Sequence, residues 1–128
     1  MAVESNETHR AGAHGPILVV DDNADFRNAL LDVLIDNGQE VVLAENGRDA
    51  LAKLAERRPC LILLDLMMPV MDGFDFLDQL DRMRSDVPVL VVSAHDTIAP
   101  AQGYARVLGT LTKPFPIPEL LSVVNANC

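Results

Sequence analysis

Charged side chains that could carry phosphoryl chemistry stand at the ends of three short apolar runs. They are Asp21 and Asp22 after the first run, Asp65 at the end of a later run, and Lys113 after the last. In open α/β sheets, ligands bind in the crevice beyond the carboxyl ends of the strands, where residues distant in sequence converge. Three carboxylates and one ammonium at such an edge point to a divalent cation together with a phosphoryl group.

The chemistry of these side chains fits phosphoryl transfer. Mg²⁺ binds one or two carboxylates and takes its other ligands from water, carbonyl groups and phosphate, and it would keep crowded carboxylates ionised. A carboxylate can attack phosphorus to form an aspartyl phosphate, and Lys113 would stabilise the charge on the transferring oxygens. The hydroxyl of Ser93, after the fourth run, could donate a hydrogen bond to a phosphoryl oxygen.

Each of these residues also has a purely structural explanation. Asp21, Asp22 or Asn23 can cap a helix, and an aspartate at a strand end is commonly a turn residue. A lysine before a proline is usually part of a solvated loop. The joint occurrence of these residues on the first, third and fifth strands, with a hydroxyl on the fourth, favours function.

Short apolar runs alternate with helical patterns from Pro16 onward. Continuous rather than alternating runs are typical of strands buried on both faces, which predicts a parallel sheet. The four clear runs are Ile17–Val20, Val41–Ala44, Leu61–Leu64 and Val89–Val92, and Val107–Thr112 is a weaker fifth.

Five helices are predicted between and after these strands. The first ends at Asn37-Gly38, the second runs from about Gly47 to Arg57, and the third starts near Asp72-Gly73. A fourth, between residues 94 and 103, is poorly specified because Pro100 interrupts it, and the last opens near Pro118. The side chains predicted to face inward are Phe26, Ala29, Leu30, Val33 and Leu34 in the first helix, Ala50, Leu51, Leu54 and Ala55 in the second, Phe74, Leu77, Leu80 and Met83 in the third, and Leu120, Leu121, Val123 and Val124 in the last.

Size and composition limit the class of protein. The 128 residues favour one domain whose core is large enough to fold without disulfides or structural metal, and no apolar run is long enough to cross a bilayer. A formal net charge of −9 argues against direct binding to nucleic acid. These properties predict a soluble domain and are compatible with cationic partners or a metal.

The cysteines and the amino-terminal segment predict a cytoplasmic location. Cys60 and Cys128 match neither a disulfide framework nor a zinc-binding pattern, so we expect reduced thiols in a reducing compartment. Residues 1–15 lack an apolar segment and are predicted to be a disordered tail in which His9 and His14 are solvated.

Several other residues are assigned structural roles. The thioethers of the three methionines after Asp65 are soft ligands, so these side chains are expected to pack or to line the loop rather than to bind Mg²⁺. His95 is expected in a partly exposed loop. The three methionines are Met67, Met68 and Met71. The acidic residues Asp75, Asp78 and Asp81 are expected on a solvated face of the third helix.

With these motifs the chain resembles the receiver domain of two-component response regulators, in the single-domain form found in chemotaxis regulators. The resemblance covers nearly everything from Ile17 to Asn125. Its motifs are Val19-Val20-Asp21-Asp22, the run from Leu64 to Gly73, Ser93-Ala94 and Lys113-Pro114-Phe115. It implies a flavodoxin-like (βα)5 three-layer sandwich with a parallel sheet in the order 2-1-3-4-5, formed by residues 16–128.

The resemblance also implies a function and a set of roles. Asp65 would accept a phosphoryl group from a histidine kinase, a histidine phosphotransfer protein or a small phosphodonor, and the protein would signal by binding a partner or act in a phosphorelay rather than as an enzyme. Mg²⁺ would be bound by Asp22, Asp65 and the backbone carbonyl of Met67, and by Asp21 through water. Ser93 and Lys113 would contact the phosphoryl oxygens, and the protein would be a monomer or weak dimer with no membrane contact.

One position departs from the family pattern. Family members commonly carry Tyr or Phe three residues before the lysine, and this aromatic ring rotates when the hydroxyl residue moves. This chain has Thr110 there, and Tyr104 is nearby but not at the matching position.

Two alternatives remain. A degenerate receiver would bind partners without being phosphorylated, although the acids, hydroxyl and lysine are all present. A haloacid-dehalogenase-like phosphatase also forms an aspartyl phosphate, but it needs a second acid two residues after the nucleophile, where this chain has Met67.

Overall fold

A computed structural model describes residues 15–94 and 103–128. Five strands form one parallel sheet in the order β2-β1-β3-β4-β5, as the resemblance implied. The strands are β1 (Ile17–Val20), β2 (Val41–Ala44), β3 (Leu61–Leu64), β4 (Val89–Ser93) and β5 (Val107–Thr112). The predicted fourth helix lies almost wholly outside the described residues, as do the tail to residue 14 and His95.

Four helices accompany the strands in the described part of the chain. They are α1 (Ala24–Asp36), α2 (Gly47–Glu56), α3 (Gly73–Arg82) and α4 (Ile117–Asn127). The first three are capped at their amino-terminal ends by a side-chain oxygen, which accepts the backbone N–H of the residue three positions later. The capping residues are Asn23, Asn46 and Asp72. Helix α4 has Pro118 in its first turn. None of the helices in residues 15–94 and 103–128 is long and apolar enough to span a membrane.

The sheet separates two apolar clusters. One lies under α2 and α3 and includes Phe76 and Leu77, and the other lies under α1 and α4 and includes Leu34 and Leu120. Residues of β1 and β3 contribute to both clusters because successive side chains point to opposite faces. The core therefore fixes the position of each strand end relative to its neighbours.

Some predicted inward residues are not buried. Ala29 and Ala55 are exposed, and Met83, the residue that caps the end of α3, is 54% exposed. Helical spacing assigned these residues to the apolar face, but spacing alone does not show which positions of that face another element covers.

The prediction that the acidic face of α3 is merely solvated is wrong for two of its three aspartates, which bond to other side chains. Asp78 accepts a hydrogen bond of 2.9 Å from the Tyr104 hydroxyl, and Asp81 pairs with Arg106 at 2.7 Å. Both partners precede β5 in the chain. Helix α3 thus holds the entry to β5, whereas Asp75 is exposed and only its backbone N–H bonds to the capping Asp72.

The prediction of reduced cysteines is wrong for this structure, in which Cys60 and Cys128 form a disulfide. Their Cα atoms are 5.6 Å apart, and the bond joins the residue before β3 to the residue after α4. Cys60 belongs to the apolar cluster under α1 and α4, and Cys128 packs against it. Two isolated cysteines give no sequence signal of this contact, because only the fold places the end of α4 beside the start of β3.

We predict that loss of this bond destabilises the chain. The disulfide spans 68 residues, and a loop of that length corresponds to about 4 kcal/mol of unfolded-state entropy in the chain-entropy model. Chemical denaturation of Cys128→Ser, and of the wild type with and without a phosphine reductant, measures the effect. Unchanged stability of the wild type on reduction would contradict the prediction, and the reductant should not affect the variant.

Candidate functional site

The carboxyl ends of four strands bring the predicted site residues to one edge of the sheet. Asp21 follows β1, Asp65 follows β3, Ser93 ends β4 and Lys113 follows β5. Interstrand hydrogen bonding continues into these positions, because the Asp65 N–H donates to the carbonyl of Val20 and the Lys113 N–H to that of Ser93, both at 2.9 Å. The backbone thus positions each functional group relative to the next strand.

Three carboxylates form the acidic part of the site. One oxygen each of Asp21, Asp22 and Asp65 lies within 4.8 Å of the other two. Asp21 and Asp65 are buried, at 2% and 8% exposure, whereas Asp22 is exposed. Two acids of the group are therefore inside the fold, and one stands at the solvent boundary.

Lys113 lies between the two buried acids. Its Nζ donates to Asp21 Oδ2 at 2.8 Å and is 3.8 Å from Asp65 Oδ2. Asp21 Oδ1 also accepts the backbone N–H of Asn23 at 2.9 Å, and its carbonyl accepts Arg27 Nη1 at 2.7 Å. Asp21 is thus held in place by its hydrogen bonds, while the ammonium is within a short side-chain movement of Asp65.

Ser93 contacts Asp65 directly. The Ser93 hydroxyl is fully buried and donates to Asp65 Oδ1 at 2.8 Å, and the Met67 N–H reaches the same oxygen at 3.3 Å. The Leu66 N–H donates to Ser93 Oγ at 3.4 Å. Oδ1 is therefore the hydrogen-bonded oxygen of Asp65, and Oδ2 faces Lys113.

The pKa of Asp65 is raised, chiefly because burial disfavours the charged carboxylate. The charge of Asp21 raises it further, while the Ser93 hydrogen bond, the Lys113 charge and the Met67 N–H lower it. The favourable contacts thus do not fully compensate for burial. A bound cation would supply the missing positive charge.

Asp65→Asn should stabilise the metal-free protein at neutral pH. With a folded-state pKa above the ordinary value, the native state binds more protons than the unfolded state between the two pKa values, so stability falls as pH rises through that window. In urea unfolding from pH 3 to 8, the free energy of unfolding of the variant should increasingly exceed that of the wild type as pH rises. The two proteins should differ little at the acid end. Asp32→Asn, which changes an exposed carboxylate, is the control and should not show this pH dependence. An Asp65→Asn variant less stable than the wild type at pH 7 would contradict this account.

The loop from Leu66 to Gly73 closes tightly over the end of β3. The Gly73 N–H donates to the Leu66 carbonyl at 2.9 Å, and a Cβ on Gly73 would lie 2.6 Å from Leu66 Cα and 2.7 Å from the Asp65 carbonyl oxygen. Both atoms are backbone and cannot move aside cheaply. Gly73 therefore allows the loop to pack against the residue that carries the central carboxylate.

Gly73→Ala should destabilise the fold by about 1–3 kcal/mol, because the added methyl forces the Leu66 backbone away. Gly109→Ala is the matched control, since a Cβ there meets nothing within 4 Å. It should leave stability unchanged or raise it by up to about 1 kcal/mol. Equal effects of the two substitutions in thermal or urea unfolding would show that the close approach at Gly73 does not matter.

The structure locates the remaining candidates. Asn23, rather than either aspartate, caps α1 through a 2.9 Å hydrogen bond from the Phe26 N–H. Met68 is buried, Met71 packs partly against the core, and Met67 is 60% exposed. Thr110 is half-buried opposite Val91 in the sheet.

Sequence reasoning missed an aromatic contact at the site. Lys113 Nζ lies 4.0 Å from the centre of the Phe26 ring, whose edge packs against Phe115 at a centroid distance of 6.3 Å. The Lys113-Pro114 peptide is cis. The helical pattern of α1 identified Phe26 only as a core residue. Its first-turn position, four residues after Asp22, was the available signal that it stands beside the acids.

The chain is similar to known proteins over most of its length. Residues 17–125 match the family model described as a response regulator receiver domain. Response regulator MprA of Mycolicibacterium vanbaalenii is 40% identical over 117 residues, which cover 86% of this chain and 48% of MprA. The chain thus spans about half the length of that relative.

Solved structures agree with the fold. The Vibrio cholerae chemotaxis protein CheY4 superposes with a TM-score of 0.78 at 35% identity, covering 90% of this chain and 99% of CheY4. The Thermotoga maritima response regulator TrrA, solved in complex with Mg²⁺ and BeF, has a TM-score of 0.79 at 27% identity and covers 88% of this chain and 98% of TrrA. The flavodoxin-like, CheY-like fold expected from the sequence is confirmed.

Proposed function

Because this chain belongs to the response regulator receiver family, we propose that it is a signalling switch that accepts a phosphoryl group on Asp65. The observation that carries the proposal is the position of Lys113, whose ammonium is 2.8 Å from Asp21 and 3.8 Å from Asp65. An ammonium shared between two buried carboxylates is placed to contact a phosphoryl group on either side of it. The family is one of signalling domains, and any catalysis concerns the protein's own phosphorylation and dephosphorylation.

The transfer uses the two oxygens of Asp65 differently. Oδ1 is occupied by the Ser93 hydroxyl, so Oδ2 is the better placed nucleophile. Attack of a carboxylate oxygen on phosphorus forms the new P–O bond while the P–N bond of a phosphohistidine breaks, and the electron pair leaves with the imidazole nitrogen. Ser93 and Lys113 then contact the oxygens of the transferred group, and the added charge biases the surface that a partner reads.

The residues present fit a magnesium ion. The three carboxylates offer hard oxygen ligands close together, and exposed Asp22 leaves access for the waters that Mg²⁺ retains. We assign Asp22, Asp65 and the Met67 carbonyl as direct ligands and Asp21 as a ligand through water. The bound ion would offset the negative charge around Asp65 and on the incoming phosphoryl group. TrrA, a relative of similar fold, was solved with Mg²⁺ and BeF.

The proposed partners follow from the same chemistry. The phosphodonor is a histidine kinase, a histidine phosphotransfer protein or a small acyl phosphate, and the output is a protein that distinguishes the phosphorylated surface or receives the phosphoryl group. Residues 16–128 form the receiver, which we expect to be a monomer or weak dimer without direct nucleic-acid contact. We propose a cytoplasmic location. There the thiols of Cys60 and Cys128 would be reduced, and the disulfide would form under oxidising conditions.

Incubation with Mg²⁺ and acetyl phosphate should add one phosphoryl group, detected by intact-protein mass spectrometry. Asp65→Asn should abolish the addition, and Lys113→Ala should slow it by about 100-fold, a typical effect of losing one charge-stabilising donor. Asp32→Asn, an exposed carboxylate on α1, is the control and should be phosphorylated like the wild type. Removal of Mg²⁺ with a chelator should stop the reaction.

Two results would overturn the proposal. Phosphorylation of Asp65→Asn would place the acceptor elsewhere. Absence of labelling in the wild type, together with no change of NMR shifts around Asp65 on addition of Mg²⁺ and beryllofluoride, would instead favour a degenerate receiver that only binds partners.

A further inference from the structure

The centre of the Phe26 ring lies 4.0 Å from the ammonium of Lys113. This contact lies outside the set of acids, hydroxyl and lysine assigned above. A cation over an aromatic face at this distance is attracted by the negative ring face. The ring is therefore a third attractive partner of the ammonium, after Asp21 and Asp65.

The position of the Phe26 ring is fixed from two sides. Its backbone lies in the first turn of α1, where its N–H donates to the capping Asn23. Its ring packs edge-on against Phe115, two residues after Lys113. The ring thus bridges the segment that follows β1, which carries Asp21, and the segment that follows β5, which carries the lysine.

The contact adds a restriction to a flexible side chain that is already paired with Asp21. Lys113 reaches the site on a flexible four-carbon stem and is 27% exposed. The ring covers part of the ammonium's surroundings with an attractive apolar face in place of water. Without the ring, the ammonium would gain solvent-exposed positions, including ones that lie farther from Asp65.

We propose that Phe26 is a positioning residue for Lys113, whose ring keeps the ammonium within reach of Asp65 and thereby speeds phosphoryl transfer. The inference rests on the proposed function. In this role Phe26 acts through the lysine, which its ring contacts.

Phosphorylation rates test the consequence. With acetyl phosphate and Mg²⁺, Phe26→Leu should be phosphorylated roughly fivefold more slowly than the wild type, the size expected from losing one partly exposed cation–π contact. Phe26→Tyr retains the ring face and should restore a rate near that of the wild type. Phe74→Leu is the matched control, because Phe74 is also half-buried but packs on the other side of the sheet.

An NMR measurement tests the contact without any phosphorylation. Protons above an aromatic ring resonate upfield, so the side-chain CH₂ protons nearest the Lys113 ammonium should be shifted upfield in the wild type and in Phe26→Tyr. They should return to ordinary lysine positions in Phe26→Leu and stay shifted in Phe74→Leu. A merely structural role of Phe26 would not produce this pattern.

The outcomes separate this inference from the proposed function. If the wild type is not phosphorylated while the Lys113 signals are shifted, the proposed function fails and, with it, the effect on rate assigned to Phe26. If the wild type is phosphorylated, then an unshifted Lys113, an unaltered rate in Phe26→Leu, or a Phe26→Tyr as slow as Phe26→Leu overturns the positioning role. The wild-type NMR spectrum retains its value even if Phe26→Leu fails to fold.

Discussion

The closeness of Asp21 and Asp65 is the constraint on which the rest of the structure depends. Two carboxylates buried at adjacent strand ends repel each other, and burial raises the pKa of Asp65. Lys113 provides one positive charge between them, and Ser93 provides one neutral donor. The arrangement stays short of positive charge. A divalent cation would relieve that shortage, and phosphorylation, which brings the negative charge of the phosphoryl group, would deepen it. A site of this kind is suited to a switch, because its electrostatic state depends on what is bound.

The parallel sheet makes that closeness possible. Interstrand hydrogen bonds extend from β1 to Asp65 and from β4 to Lys113, so the site inherits its geometry from the backbone rather than from flexible loops. The two apolar clusters hold the strands in this register, and Gly73 lets the following loop pack against the Asp65 carbonyl. Stability and function therefore oppose each other at one residue, since the buried carboxylate that is proposed to accept the phosphoryl group also weakens the fold at neutral pH.

Sequence predicted the strands and most helix bounds because continuous apolar runs and helical spacing are local signals. It also predicted that the candidate site residues lie at one edge of the sheet, because the carboxyl ends of parallel strands meet there. These residues are Asp21, Asp22, Asp65, Ser93 and Lys113. Sequence reasoning missed features that depend on contacts between residues distant in the chain. Neither the Cys60–Cys128 bond, nor the pairing of Asp78 with Tyr104, nor the position of Phe26 over Lys113 has a local pattern. Helical spacing likewise does not reveal that Met83 is 54% exposed.

A titration of the protein with Mg²⁺, followed residue by residue by two-dimensional NMR, tests the shared pocket most directly. The account predicts one saturable binding event, with the largest shift changes after β1, after β3 and around Lys113, and a marked loss of affinity in Asp22→Asn. Shift changes confined to other acidic surfaces, such as the exposed end of α3, or no saturable change at all, would contradict it.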